Sequence, residues 1–125
     1  KKQINLGSYP ILMTMIYTDS EDRVRKDYPH NPDQKDQEDL ACYSQLYNDG
    51  EIIVVFNEKN GKLTFGVIAH EACHIADDTF EYIGEKRSAS CGHESYAYLV
   101  QFIVEQICIF LVDKAGAKVY INEEY

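Results

Sequence analysis

The chain is poor in basic side chains and lacks the features of several protein classes. It has 12 Lys and Arg against 21 Asp and Glu, which gives a formal net charge of −9. Proteins that bind a phosphate backbone rely on clustered positive charge, so we expect no nucleic-acid partner. Trp is absent, and no internal repeat or low-complexity tract is present. The 125 residues, 45% of them hydrophobic, predict a single domain over residues 1–125.

The four cysteines form neither a CxxC pair nor a dense set, so reduced thiols in an intracellular setting are the expectation. The longest apolar stretch, residues 99–112, is interrupted by Gln101, Glu105 and Gln106. We therefore predict neither a signal peptide nor a membrane partner. These features favour a cytoplasmic protein. Because the sequence begins with Lys1 rather than Met, a leader before it stays open.

The first third of the chain divides into a strand and a charged segment. Residues 9–17 are rich in β-branched and aromatic types, which predicts a strand. Residues 19–39 are strongly charged and contain Pro29 and Pro32, with Val24 as the only aliphatic side chain. We expect this segment to be a long charged surface loop or lid.

The middle of the chain predicts a hairpin. Residues 40–47 and 52–57 flank Asn48, Asp49 and Gly50, which tolerate the positive φ values of a tight turn. The second arm is apolar on both faces, so we expect it to be the central strand of a sheet.

Two helices are predicted after the hairpin. The first runs from a Thr64 cap to about Tyr82, with Gly84 just past its end. The second covers about residues 93–114 and is apolar almost all round, so we place it in the middle of the domain. Residues 118–121 fit a short last strand.

The first helix separates an apolar face from a polar one, and the polar face contains an HExxH motif. His70 and His74 lie one helical turn apart, so both imidazoles can reach one Zn²⁺ while Glu71 flanks the open metal position. In a chain with four His, a chance match is on the order of one in a hundred. The alternative is a solvated polar helix face.

A catalytic zinc needs a third protein ligand. Glu94 follows His74 by twenty residues, in the first turn of the second helix. With this pair of motifs the sequence resembles the gluzincin branch of HExxH zinc metallopeptidases. The resemblance implies that His70, His74 and Glu94 are the metal ligands. Cys91 in place of Glu94 and His93 as third ligand stay open as alternatives.

The resemblance also implies a fold and a reaction. The fold would be an α+β, zincin-like domain with a small antiparallel or mixed sheet, an HExxH helix and a central second helix. The reaction would be zinc-dependent hydrolysis of a peptide or protein substrate by metal-activated water, with Glu71 as general base. An exposed edge strand, such as the arm over residues 40–47, would bind the extended peptide.

The sequence departs from larger gluzincins near Glu94. Those enzymes often carry, four residues after the ligand Glu, an Asp that orients a zinc-bound His; Tyr98 stands there instead. We expect Asp77, Asp78 or a backbone carbonyl to orient the histidines. The candidate donors for the oxyanion of the reaction are His93, Tyr96 and Tyr98.

Residues 51–112 also resemble short HExxH proteins of phages and mobile elements, where a strand, the HExxH helix and an E-x-x-A-Y helix follow one another. This likeness makes a phage-associated location an alternative to the cytoplasm. It also supports a second functional hypothesis: a weakly active or inactive module that keeps its metal as a structural element and binds an assembly partner, for instance in a phage particle. A third is an acidic adaptor with a coincidental HExxH.

Overall fold

A computed structural model describes residues 1–29, 40–84 and 92–121. The described part contains four strands and three α-helices, with a short 3₁₀ helix over Glu58–Asn60 and a π-helical turn over Phe110–Lys114. In chain order the elements are β1 (Lys2–Asn5), β2 (Leu12–Tyr17), α1 (Glu21–Asp27), β3 (Cys42–Leu46), β4 (Glu51–Phe56), α2 (Phe65–Ile83) and α3 (Gly92–Ile109).

The four strands form one mixed sheet in the order β1-β2-β4-β3. β2 and β4 are parallel, whereas β1 pairs with β2 and β3 pairs with β4 in antiparallel fashion. The predicted α+β class with a small mixed sheet is therefore confirmed. β1 was not predicted, and the parallel pairing of β2 with β4 joins segments about forty residues apart, a contact that no local pattern reveals.

The predicted hairpin is confirmed. β3 and β4 are joined through Gly50, whose φ of 85° is readily adopted by glycine. A Cβ atom at this position would lie 2.9 Å from the carbonyl oxygen of Pro10, so the turn also needs the absence of a side chain. β4 is a central strand, as expected, and its residues Ile52–Phe56 are all fully buried.

The sheet buries its two faces in different ways. One face, covered by α2 and α3, forms the main apolar core around Met13, Val54 and Phe56. The other face carries a smaller cluster in which Val24 and Tyr28 pack on Tyr43 and on alternate residues of β4. Residues of β4 thus contribute to both clusters, which is why the whole strand is apolar.

The 19–39 segment is not entirely a loop. Residues 21–27 form α1, which buries Val24 at 4% exposure against the sheet. The sequence predicted a loop because a single aliphatic side chain offers too little apolar surface to hold a helix. In the structure, Tyr28 at the end of α1 supplies a second apolar contact. The part of the predicted loop over residues 30–39 lies outside the described residues.

α2 begins and ends where the sequence predicts. The side chain of Thr64 accepts a hydrogen bond from the backbone N–H of Val67, which caps the helix. Gly84 ends it with a φ of 74° and donates to the carbonyls of Phe80 and Glu81. Ile68, Ala72, Ile75 and their neighbours on the apolar face enter the core, so α2 is held at both ends and along one side.

α3 is not in the middle of the domain, contrary to the prediction. Leu99, Ile103 and Ile107 pack into the core, whereas Tyr98 is 66% and Ile109 is 41% exposed. Composition alone could not show which side of an apolar helix would be covered. The segment Glu94–Lys114 is long and apolar enough to cross a membrane by length and composition, with 28% of its most apolar window buried, which is weak evidence for such a role.

The remaining strand predictions are confirmed in part. The strand predicted over residues 9–17 begins at Leu12, because the chain turns between Gly7 and Ile11. The last strand predicted over residues 118–121 is reduced to one bridge between Tyr120 and Thr64. This bridge fixes the end of the described chain against the start of α2.

Candidate functional site

The two histidines of the HExxH motif converge on the exposed side of α2. Their Nε2 atoms lie 3.0 Å apart, and the ring centroids of His70 and His74 are 4.7 Å apart with the rings nearly perpendicular. The spacing of four residues places them on one helix face, one turn apart. Both rings thus direct the same nitrogen towards one point next to the helix.

This geometry suits a shared metal ion. Two imidazole nitrogens bound to a tetrahedral Zn²⁺ at about 2.0–2.1 Å lie about 3.3 Å from each other. The observed 3.0 Å separation of the Nε2 atoms is close to that value. The same separation also allows an N–H···N hydrogen bond between the two rings, so the metal-binding interpretation depends on the motif as well as on the distance.

Among the described residues, no third ligand joins the two histidines. Glu94 is exposed in the first turn of α3. Within residues 1–29, 40–84 and 92–121, no group of three or more His, Cys, Asp or Glu side chains is arranged to hold a metal. The hydroxyl of Tyr96 donates to the backbone carbonyl of Cys73 at 3.3 Å, which places the beginning of α3 beside the HExxH turn. Glu94 as ligand stays a prediction, and Cys91 lies outside the described residues.

Glu71 is buried, whereas His70 and His74 on the same helix are exposed, so the alternative of a solvated polar face does not describe Glu71. It is 6% exposed, and its Oε1 accepts a hydrogen bond of 3.0 Å from the hydroxyl of Ser44 on β3. Burial raises the pKa of Glu71, while the Ser44 hydrogen bond and the neighbouring histidines act in the opposite direction. A buried carboxylate with one fixed donor has a defined orientation, which a general base requires.

Ser44 is a site residue that the sequence reasoning missed. The strand alternation of β3 offered the signal, because Cys42 and Leu46 belong to the main core, and Ser44 lies between them on the same face. A hydroxyl on the buried face of a strand needs a partner. The partner was not predictable, because the contact with Glu71 joins residues 27 apart in sequence.

β3 is an edge strand beside this site. Within the described residues it pairs with β4 on one side only. The backbone bonds of Ala41 to Asn57 and of Tyr47 to Glu51 set the alternation, so the N–H and C=O groups of Ser44 point away from β4. Ser44 therefore bonds to Glu71 through its side chain, while its backbone groups lie on the side of β3 that faces away from β4.

Two cavities lie at the site, and each of them is lined by both His70 and Glu71. One has a volume of about 560 Å³ and extends towards Lys62 and the start of α2. The other, of about 270 Å³, also touches Ser44, His74 and Asp78. His70 and Glu71 are thus shared by the two cavities.

The two aspartates predicted to orient a histidine occupy different positions. Asp77 is exposed, whereas Asp78 is half-buried and lines the smaller cavity with His74. Burial and the nearby Glu81 raise the pKa of Asp78, and His74 partly offsets this. Asp78 is therefore the better placed of the two to contact a histidine, although no hydrogen bond joins them among the described contacts.

Of the three predicted oxyanion donors, the structure describes the side chains of Tyr96 and Tyr98. Tyr96 uses its hydroxyl on the carbonyl of Cys73. Tyr98 lines a separate cavity near Gly7, which does not include the HExxH side chains. The side chain of His93 lies outside the described residues. Their role stays a prediction.

No family model matches the chain, and no curated protein or solved structure matches it significantly. A function for this chain therefore has to be inferred from the HExxH motif and from the geometry around it. The strongest parts are the convergence of His70 and His74 and the buried hydrogen bond between Ser44 and Glu71.

Proposed function

We propose that this protein is a zinc-dependent hydrolase of peptide bonds with a zincin-like fold. The observation that carries the proposal is the convergence of the His70 and His74 Nε2 atoms beside the buried carboxylate of Glu71. Two imidazoles next to a carboxylate are typical of the metal and base of such hydrolases. Glu94 is the proposed third ligand, supported by the position of Tyr96 against Cys73.

Each residue of the site has a role in this proposal. Zinc bound by the two histidines would act as a Lewis acid on the scissile carbonyl and make the attacking water more acidic. Glu71 accepts the proton of that water and returns it to the leaving nitrogen. Ser44 holds Oε1 of Glu71, which leaves the other carboxylate oxygen for the proton transfer.

The substrate is proposed to be an extended peptide that adds to the edge of β3. Among the described residues β3 pairs with another strand on one side only, and strand addition at such an edge is a known way to bind an extended peptide. Ser44 of this strand contacts Glu71, so a peptide at this edge would lie beside the proposed base. The cavities on either side of His70 offer space for its side chains.

Zinc content and turnover of Glu71→Gln test the proposal. We expect purified wild-type protein to bind one zinc and to cleave members of a broad peptide library. Glu71→Gln should retain the zinc and lose activity by about 10²–10⁴-fold, the usual contribution of a positioned acid or base. Absence of stoichiometric zinc in wild-type protein loaded without chelator would contradict the metal site. Equal activity of the two proteins would contradict the role of Glu71.

A binding module that retains zinc without turnover is the second candidate. It is favoured by the exposed apolar side of α3 and of the π-helical turn that follows it, where Tyr98, Ile109 and Val112 are 41–66% exposed. Large exposed apolar side chains on one helix are typical of partner surfaces. Such a module, for instance a component of a phage particle, would bind zinc and cleave no peptide of the library.

A further inference from the structure

The smaller cavity at the candidate site combines apolar surface with acidic side chains. It has a volume of about 270 Å³, and its lining includes Glu71, Asp78 and Leu40, the last of which is 50% exposed. No Lys or Arg is among the described residues that line it. The cavity therefore offers a ligand both apolar contact and negative charge.

Asp78 is the acidic residue of this cavity that is available to a ligand. Glu71 is bonded to Ser44 through Oε1 and is the proposed base of the reaction. Asp78 is half-buried, and within the described part of the chain no hydrogen bond or ion pair joins it to another residue. A carboxylate that has lost part of its water without gaining a donor is unfavourable, so a cation in the cavity would stabilise it.

The surrounding part of α2 adds to the negative charge at Asp78. Asp77 precedes it, Glu81 follows it by three residues, and the last turn of the helix contains no basic side chain. Burial and the carboxylate of Glu81 raise the pKa of Asp78, and Asp77 acts in the same direction, whereas His74 lowers it. A carboxylate in the last turn of a helix also opposes the helix dipole. A bound cation would relieve this accumulation of negative charge.

The position of Asp78 keeps such a cation apart from the two histidines. Asp78 follows His74 by four residues, so it lies one helical turn further from His70 on the same face of α2. The side chains of Lys and Arg are suited to this arrangement, because each has an apolar stem and a charged end. The stem can contact Leu40 while the charged end reaches Asp78, since both residues line the cavity.

We propose that the smaller cavity binds a Lys or Arg side chain of the peptide, which makes Asp78 a specificity-determining residue. The apolar stem packs on Leu40 and the charged end pairs with Asp78. The peptide adds to β3, and its basic residue enters the cavity between β3 and α2. This inference rests on the proposed function, because it names the substrate class of the same site.

Binding to zinc-loaded Glu71→Gln tests the inference without requiring turnover, and this exchange also removes the other acidic side chain of the cavity. Short fluorescent peptides with blocked ends contain one Lys, Arg or Met, placed at each position in turn, and are compared by anisotropy. We expect Lys and Arg at one position to bind about twofold to fivefold tighter than Met, the contribution of a partly exposed ion pair. Added salt should reduce this preference. Equal affinity for the three residues at every position would overturn the inference.

The matched variants are Asp78→Asn and Asp77→Asn, each built into the Glu71→Gln protein. Asp77 is exposed and is not among the described lining residues, so its exchange changes the net charge equally outside the cavity. We expect Asp78→Asn to abolish the preference for Lys and Arg without changing the affinity for the Met peptide. Asp77→Asn should keep the preference. Equal loss in both variants would reduce the effect to net charge and overturn the role of Asp78.

Zinc affinity separates this role from one in orienting His74. Replacing a residue that orients a metal ligand typically costs about 10–100-fold in metal affinity. We expect Asp78→Asn to bind zinc as tightly as the Glu71→Gln protein into which it is built. A loss of zinc affinity, together with equal weakening of the Lys and Met peptides, would assign Asp78 to the metal site and overturn the inference.

The outcomes also separate this inference from the proposed function. A preference for Lys and Arg that depends on Asp78, in a protein that cleaves nothing, supports the cavity and favours the binding module. Cleavage of peptides without such a preference supports the hydrolase and overturns the role of Asp78. If zinc-loaded protein neither binds nor cleaves any peptide, both proposals are overturned.

Discussion

α2 and α3 supply different halves of the proposed metal site, and they are held in the fold to different degrees. α2 is capped by Thr64, packed into the core along one side and joined to β3 through the Ser44–Glu71 bond. α3 packs one side only and exposes much of its apolar surface. The histidines on α2 converge, whereas Glu94 on α3 is exposed. The part of the proposed site that lies on α2 therefore has fixed neighbours, whereas the part on α3 has not been brought to it among the described residues.

The largest expected effect is the loss of zinc from variants of α2. Because removing a residue that only orients a ligand costs about 10–100-fold in metal affinity, His74→Ala should lose more than ~100-fold. Glu94→Gln tests whether α3 contributes a ligand, and it should also weaken zinc binding by at least tenfold or so. Competition with a chromophoric chelator measures both. Glu105→Gln, also exposed on α3, is the control and should leave zinc affinity unchanged.

If Glu94→Gln binds zinc like the wild type while His74→Ala does not, the two helices differ more in their contribution to zinc binding than we propose. Both proposed ligands that remain would then lie on α2. The third ligand would be a different residue, and Cys91 and His93 would be the first to replace.

Packing of the two helices predicts the next effect. Ile75 on α2 is fully buried, and its replacement by Ala should cost about 2–5 kcal/mol in the free energy of unfolding. Val112 lies exposed in the π-helical turn after α3. Its replacement by Ala should change the free energy of unfolding by no more than about 0.5 kcal/mol. Urea denaturation followed by circular dichroism measures both. A cost for Val112→Ala as large as that for Ile75→Ala would show that the exposed side of α3 is covered in solution.

The smallest expected effect concerns the bond between Ser44 and Glu71. Since a hydrogen bond to a charged group contributes about 1.5–3 kcal/mol, Ser44→Ala should lower kcat by roughly tenfold through a misplaced base. Zinc content should not change, because Ser44 is not a proposed ligand. Ser44→Thr keeps the hydroxyl and is expected to restore most of the activity. Full activity in Ser44→Ala would mean that burial alone orients Glu71.

The sequence predicts what depends on local spacing. The Thr64 cap, the end of α2 at Gly84 and the turn at Gly50 were predicted because each depends on a few neighbouring residues. The HExxH pair belongs to the same class, since its two histidines are one helical turn apart. These local patterns were sufficient to identify α2 as the helix of the site.

What the sequence could not predict depends on distant contacts. The bond from Ser44 to Glu71, the cover that α1 provides and the side of α3 that faces the core all require the packed fold. The bridge between Thr64 and Tyr120 is of the same kind, because Tyr120 reaches the start of α2 from the far end of the described chain. Charge and hydropathy patterns along the chain do not identify these contact partners.

The most direct test of the central claim is the position of a bound zinc ion. Crystals of the zinc-loaded protein, measured at the zinc absorption edge, locate the ion by anomalous scattering. The account predicts one ion at about 2.0–2.1 Å from the Nε2 atoms of both His70 and His74, next to Glu71. An ion bound elsewhere, or histidines that bond to each other while no zinc is held, would contradict it.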